Sequence, residues 1–193
     1  MTSKIKVNIL ADGADNSIIT SDGAGSFTAS SSLASSVQSV GGIQMTPAFH
    51  AYIDGTNTIS DDTWTKVTFA AELFDTDGCY DNTTNYRFTP TVAGKYFVYS
   101  TLIGNASGVG LLREVYLQLY KNGSGYEMLS EENLNSGFDE YRRTANGSCI
   151  VDMNGSSDYL EVFTYLNNTS GSPQYTGSGV KGTSFGAYRI IGA

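Results

Sequence analysis

The stretch Phe88-Thr89-Pro90-Thr91-Val92-Ala93-Gly94-Lys95-Tyr96-Phe97-Val98-Tyr99-Ser100-Thr101-Leu102-Ile103 decides the fold. Pro90 ends one strand by withdrawing a ladder donor, and Gly94 gives the backbone freedom to re-enter a sheet, so Tyr96 and Phe97 start a long strand in fixed register. From Tyr96 to Ile103 the run is apolar enough for a central strand. Upstream, Phe49, Ala51 and Ile53 alternate with polar residues, and Trp64, Lys66 to Phe69 and Leu73-Phe74 follow as short strand segments. Downstream, Val115 to Tyr120 runs into Lys121-Asn122-Gly123, where Asn-Gly is a strong hairpin signal. Tyr126 to Leu129, Cys149 to Met153, Tyr159 to Leu166 and Phe185 to Ile191 complete the set.

Composition agrees with this pattern. Tyr (13) and Phe (9) favour pleated, half-buried surfaces, while 22 Gly favour tight turns. With no helical period, the expectation is an all-β chain, a jelly-roll β-sandwich of about ten strands. Residues 1–45 read differently: Phe27 is their one aromatic, and Ser26 to Ser36 is low in complexity. Lys4 to Ile9 alternates as a strand with one buried face, Asp12-Gly13 and Asp22-Gly23 signal turns, and short apolar pieces lie at Ile18-Ile19 and Phe27. This is expected to be an extended β arm for attachment or oligomerisation, with Gly41-Gly42 and Pro47 marking the boundary to a domain over 46–193.

The chain carries 11 basic and 19 acidic side chains, a net charge of −8, which disfavours nucleic acid and anionic membrane surfaces as partners. Lys4 and Lys6 interrupt the first apolar residues, so neither a secretory leader nor a membrane span is expected from Met1 to Gly13. Chemistry is equally constrained. His50 is the single histidine, so a Ser-His-Asp unit could be built only around it. Alternation places it on the strand face opposite Phe49 and Ala51, as a solvent or interface residue, and no enzyme is expected. Cys79 and Cys149 fit no metal spacing and read as buried thiols, though a disulfide is compatible with the sequence. Asp75-x-Asp77-Gly78-x-x-Asp81 is the candidate metal site, for calcium, since alternate carboxylates beside Gly can hold a hard cation. It departs from an EF-hand loop at Cys79 and Tyr86, and a turn stabilised by Asp side chains is the competing reading. Gly104 to Gly110 lacks the Gly-Lys-Ser/Thr ending of a phosphate loop and reads as a connection between strands. Glu131-Glu132 and Asp139-Glu140 read as solvated charges that Arg142-Arg143 can pair.

Phe49-x-Ala51, Lys66-Val67-x-Phe69, Tyr80-Asp81, Phe88-Thr89-Pro90-x-x-Ala93-Gly94-x-Tyr96-Phe97, Lys121-Asn122-Gly123, Asp158-Tyr159-Leu160 and Ser184-Phe185-Gly186 occur in this order. The ordered set resembles the globular C1q domain of the C1q/tumour-necrosis-factor jelly-roll superfamily, over roughly 46–193. Ser157 stands where the usual pattern has Gly, and no collagen-like repeat lies before the domain in this chain. Phe74 to Asp81 with Arg87 to Pro90 and Gly94 to Tyr96 is similar to C1q-like domains of bacteriophage structural proteins. The resemblance implies a homotrimer packed through aromatic-rich faces, with calcium near the axis in some relatives. It implies a virion structural protein, a tail fibre, tail appendage or capsid decoration, whose arm docks to other virion proteins. Loops at Asn105 to Gly110 and Asn167 to Ser178 would then meet a host glycan. The alternative is a secreted receptor-binding ligand of the C1q/tumour-necrosis-factor kind.

Overall fold

The computed structural model describes residues 9–11, 13–21, 23–24, 27–29, 45–107, 111–133, 140–177 and 179–192. The expectations for Lys4 to Asn8, Asp12, Asp22, Ser26, Ser30 to Ser36, Gly41-Gly42, Gly108 to Gly110, Asp139 and Ser178 lie outside the described residues. Two compact units divide the chain, Met1–Gln44 and Met45–Ala193. All named elements are strands, and among the described residues no helix is long and apolar enough to cross a membrane.

In the first unit β1 (Ile9–Ala11), β2 (Ser17–Ser21) and β3 (Phe27–Ala29) form an antiparallel sheet in chain order. Ile9 and Leu10 are exposed, as expected of strands too short to enclose a core.

The second unit contains, in chain order, β4 (Ala48–Tyr52), β5 (Thr56–Thr58), β6 (Thr65–Lys66), β7 (Ala71–Asp75), β8 (Tyr80–Asp81), β9 (Arg87–Phe88), β10 (Gly94–Asn105), β11 (Leu112–Lys121), β12 (Ser124–Asn133), β13 (Arg142–Met153), β14 (Leu160–Asn168), β15 (Gln174–Thr176) and β16 (Ser184–Arg189). More strands appear than sequence patterning suggests because β5, β6, β8, β9 and β15 span two or three residues, too few for alternation to register. One seven-stranded sheet runs β5-β15-β10-β16-β4-β7, with β13 on the other edge of β10. A six-stranded sheet runs β12-β11-β14-β9-β8, with β6 also on β14. Every pairing is antiparallel, and the neighbours β16 and β4, or β11 and β14, are far apart in sequence, as a jelly roll requires.

Phe49 anchors the core between the sheets. Its ring stacks on Tyr80 at 4.7 Å and on Phe88 at 4.6 Å, and meets the edge of Phe185 at 4.9 Å. Phe69, Tyr96, Val98, Leu102, Leu117 and Leu160 are also buried in this cluster. Gly94 has φ +141°, which a side chain would resist, and β10 starts there as Pro90 and Gly94 suggest. Asn122 and Gly123 both take positive φ, 54° and 79°, and join β11 to β12. Asp158 braces this turn. Its carboxylate accepts from the Asn122 amide at 2.8 Å and the Asn154 backbone N–H at 3.0 Å, and lies 3.0 Å from the Lys121 ammonium. The Asn122 and Lys121 contacts hold its carboxyl below the usual range. Asn122 Oδ1 in turn accepts from the Tyr159 backbone N–H at 2.9 Å.

Candidate functional site

β10 alternates strictly: Tyr96, Val98, Ser100 and Leu102 are buried in the sandwich, and Phe97, Tyr99, Thr101 and Ile103 point to the opposite side of the sheet. Register brings matching residues beside them. Phe97 lies opposite Tyr188 of β16 and Ile150 of β13, Tyr99 opposite Gly186 and Ser148, and Gly186 opposite His50 of β4. His50 pairs in register with Phe74 of the edge strand β7. The outward face is therefore a continuous aromatic surface, with ring centroids 5.3 Å apart for Phe97 and Tyr188, 6.3 Å for Phe97 and Tyr99, 5.9 Å for His50 and Tyr99, and 6.4 Å for His50 and Phe74. Ile150 is 56% exposed and Phe74 45%. Charges sit at its ends, where Lys95 pairs with Asp152 at 2.7 Å and Lys181 lies 5.2 Å above the Tyr52 ring. A broad apolar face with charges confined to its ends is suited to burial against another protein surface.

Gly186 makes this face flat. A Cβ there would lie 2.3 Å from the Tyr99 ring, which crosses over the glycine. Because the obstacle is the free end of a side chain, Gly186→Ala should leave the fold in place, at a cost of about 1 kcal/mol, the low end for overpacking. The Tyr99 ring must then tilt away from the sheet. Urea unfolding should show the small loss of stability, and the mass at low protein concentration a weakened assembly.

His50 Nδ1 and the Tyr99 hydroxyl are 2.9 Å apart. Burial, and secondarily the Lys181 charge, lowers the His50 pKa from the usual 6.5. The unfolded chain thus binds a proton at mildly acid pH that the folded chain resists. Stability present above pH 6.5 is lost as the pH falls through the lower folded value. Thermal unfolding should accordingly show the wild-type protein losing stability below that pH relative to His50→Gln; parallel curves would remove His50 as the cause.

The other residues singled out in the sequence fall into different places. Phe49, Phe69, Tyr80, Phe88, Tyr96 and Phe185 are core. Tyr96 and Phe97, adjacent in one motif, part to opposite faces of the sheet. In the acidic stretch the candidate calcium ligands Asp75, Asp77 and Asp81 each meet nearby backbone or hydroxyl donors. Asp75 accepts from the backbone N–H of Asp77 at 3.2 Å and of Tyr80 at 2.7 Å, and Asp77 accepts from the Thr76 hydroxyl at 2.8 Å. Asp81 caps the next turn, where the backbone N–H groups of Thr84 and Thr83 and the Asn85 side-chain amide hold its carboxyl well below the usual range. These are carboxylates used for backbone turns, and among the described residues no three His, Cys, Asp or Glu gather as a metal site.

Cys79 is buried and Cys149 half-buried, and both are free thiols. Burial pushes the Cys149 thiol up to about 11, so it stays protonated near neutral pH. Arg143 pairs with Glu132 at 2.7 Å and Glu140 at 3.3 Å. Gly104 and Asn105 belong to β10, and Asn105, expected in an outer loop, is buried and accepts from Arg142 Nε at 2.8 Å.

Sequence reasoning placed Tyr99, Tyr188, Ile150 and Phe74 in separate strand segments and did not join them into one outward surface. A signal was present in β10, where apolar residues occupy both alternating sets, so both strand faces need cover. The core supplies cover for one only.

No protein-family model matches the chain, and no curated protein matches it. Among solved structures, the Eiger TNF of S. frugiperda matches with 15% identity over 76% of this chain and 93% of that one, at a TM-score of 0.53. Murine APRIL at pH 5.0 follows with 14% identity over 74% and 98%, at 0.49, and the globular domain of zebrafish complement 1qA protein with 16% over 75% and 97%, at 0.44. Identity this low carries the fold alone. With the strand order above, the Eiger likeness gives the second unit a jelly-roll fold like that of a tumour necrosis factor.

Proposed function

We propose that the protein is a non-enzymatic structural and binding module that assembles as a homotrimer through the outward face of the seven-stranded sheet. The observation that carries this reading is the run Phe74, His50, Tyr99, Phe97, Tyr188 and Ile150 across four adjacent strands and β13. Covering such a face gains the free energy of removing apolar surface from water, and aromatic pairs add to it. The low content of charged residues, 16%, fits subunits that cover one another.

The finer reading is a bacteriophage virion protein, a tail fibre, tail appendage or capsid decoration. Its first unit docks to neighbouring virion proteins and its jelly roll forms an outward head that meets a host glycan. Supporting it are the phage-like residues from Phe74 to Tyr96 and a first unit whose described strands leave Ile9 and Leu10 exposed for pairing or packing. Peptides of this chain in purified phage particles are the expected result of mass spectrometry. Their absence from such particles, with the chain found in a secreted fraction, would overturn the virion reading in favour of a secreted ligand.

A further inference from the structure

On the opposite side of the sandwich, the outward face of the six-stranded sheet carries a second aromatic group of different character. Tyr116 of β11 lies opposite Tyr165 of β14, their rings stacked at 5.3 Å and 15°. Trp64 tilts against both, 5.6 Å from Tyr165 and 6.3 Å from Tyr116. None of the three is fully buried. Each tyrosine belongs to a matching polar set. The Tyr165 hydroxyl donates to the Asp62 carboxylate, which also accepts from the Asn167 amide at 3.3 Å. The Tyr116 hydroxyl donates to Glu114 at 3.1 Å, and Glu114 accepts from the Asn133 amide at 2.8 Å.

The backbone holds these groups in place. The Asp62 N–H donates to Leu166 O at 3.0 Å, and Asp61 Oδ1 accepts from the Asn168 N–H at 2.7 Å, so the segment before Trp64 is fastened to β14. Asp62 keeps the Tyr165 hydroxyl protonated well above the usual tyrosine range, and Tyr116 is raised too, first by burial. Each hydroxyl proton is thus held toward its carboxylate partner, which fixes the two rings in place.

We propose that the Trp64, Tyr116 and Tyr165 platform, flanked by Asp62, Asn167, Glu114 and Asn133, is a binding site for a neutral oligosaccharide. A pyranose ring has an apolar C–H face for the aromatic rings and an edge of hydroxyls that both donate and accept. The Asp62 and Glu114 carboxylates keep lone pairs that accept from such an edge, and the Asn167 amide keeps an N–H that donates to it. A second copy of this chain fits poorly, because burying Asp62, Glu114 and the neighbouring Glu131 would strip carboxylates of water. A sulfated or phosphorylated ligand would meet like charge. Lysine side chains pair with the same carboxylates but leave the Trp64, Tyr116 and Tyr165 ring faces without a flat apolar partner, so a basic peptide is the competing occupant that the test excludes. The site gives the glycan contact of the proposed head a place on a rigid sheet face, and in that respect rests on that reading.

Trp64 is the single tryptophan, so its emission reports this platform alone. The full chain is titrated with neutral hexasaccharides of glucose, mannose and N-acetylglucosamine, with hexalysine and with a sulfated oligosaccharide. A saturable change with at least one neutral sugar and with neither charged probe is expected. Tyr165→Ala should weaken it about tenfold, the scale of one lost aromatic contact. Asn133→Ala, at an exposed position that does not threaten the fold, should weaken it in the same direction with unchanged assembly mass. No change with any neutral sugar, a response to hexalysine alone, or affinity unaltered by both variants would overturn the site. Calorimetric sugar binding without a Trp64 response would also overturn it while leaving a glycan-binding head. A monomeric protein that still gives the sugar response would support the platform and overturn the trimer.

Discussion

Ile150→Asp is expected to convert the assembly into a folded monomer. Ile150 is 56% exposed within one chain, so its side chain contributes little to the stability of the isolated sandwich. In the proposed trimer, the same residue beside Phe97 enters an apolar interface. A carboxylate there loses water without gaining a partner, which costs several kcal/mol at each copy. The measurement is solution mass together with a denaturant midpoint. The predicted result is one-chain mass with cooperative unfolding retained. An unchanged oligomer would show that this face is not the one buried, whereas loss of folding would place Ile150 in a structural role that its exposure does not suggest.

Phe49→Ala should act on the fold itself. Its ring centroid lies within 5 Å of those of Tyr80, Phe88 and Phe185, so four strands, β4, β8, β9 and β16, lose contacts together. Truncating a fully buried Phe costs about 3–5 kcal/mol, against a total stability of about 5–15 kcal/mol for a typical domain. Urea unfolding at fixed protein concentration should show the midpoint falling steeply or the native baseline lost. A loss under about 1 kcal/mol would mean that the cavity collapses without penalty, contrary to the close stacking around this ring.

Much of the fold was legible because single residues in the decisive stretch have one physical role. Pro90 cannot donate to a ladder, Gly94 takes φ +141°, and Asn122-Gly123 takes the two positive φ values of a tight hairpin. Period-two alternation separates Phe49 and Ala51, both buried, from His50 on the outer side. The shortest strands escaped because two residues have no period.

The two outward aromatic faces were less legible for a different reason. Which side of β10 carries Phe97 and Tyr99 follows from alternation, but their neighbours Tyr188, Ile150 and Phe74 are joined to them only by long-range register. The same holds for Trp64, Tyr116 and Tyr165, which come from three separate segments. The acidic stretch is ambiguous in a different way. Carboxylates at alternate positions beside Gly78 suit a cation loop and a pair of Asp-capped turns equally well, and the N–H groups of Asp77, Tyr80, Thr83 and Thr84 that supply the second come from the fold rather than from the spacing.

The central claim is that the jelly roll assembles in threes through the face built around Phe97 and Tyr99. Native mass spectrometry of the full chain tests it most directly. The predicted result is a species of three times the 20.6 kDa chain mass, with Ile150→Asp giving the single-chain mass. A wild-type protein that remains at 20.6 kDa at micromolar concentration, or that forms only dimers, would contradict it.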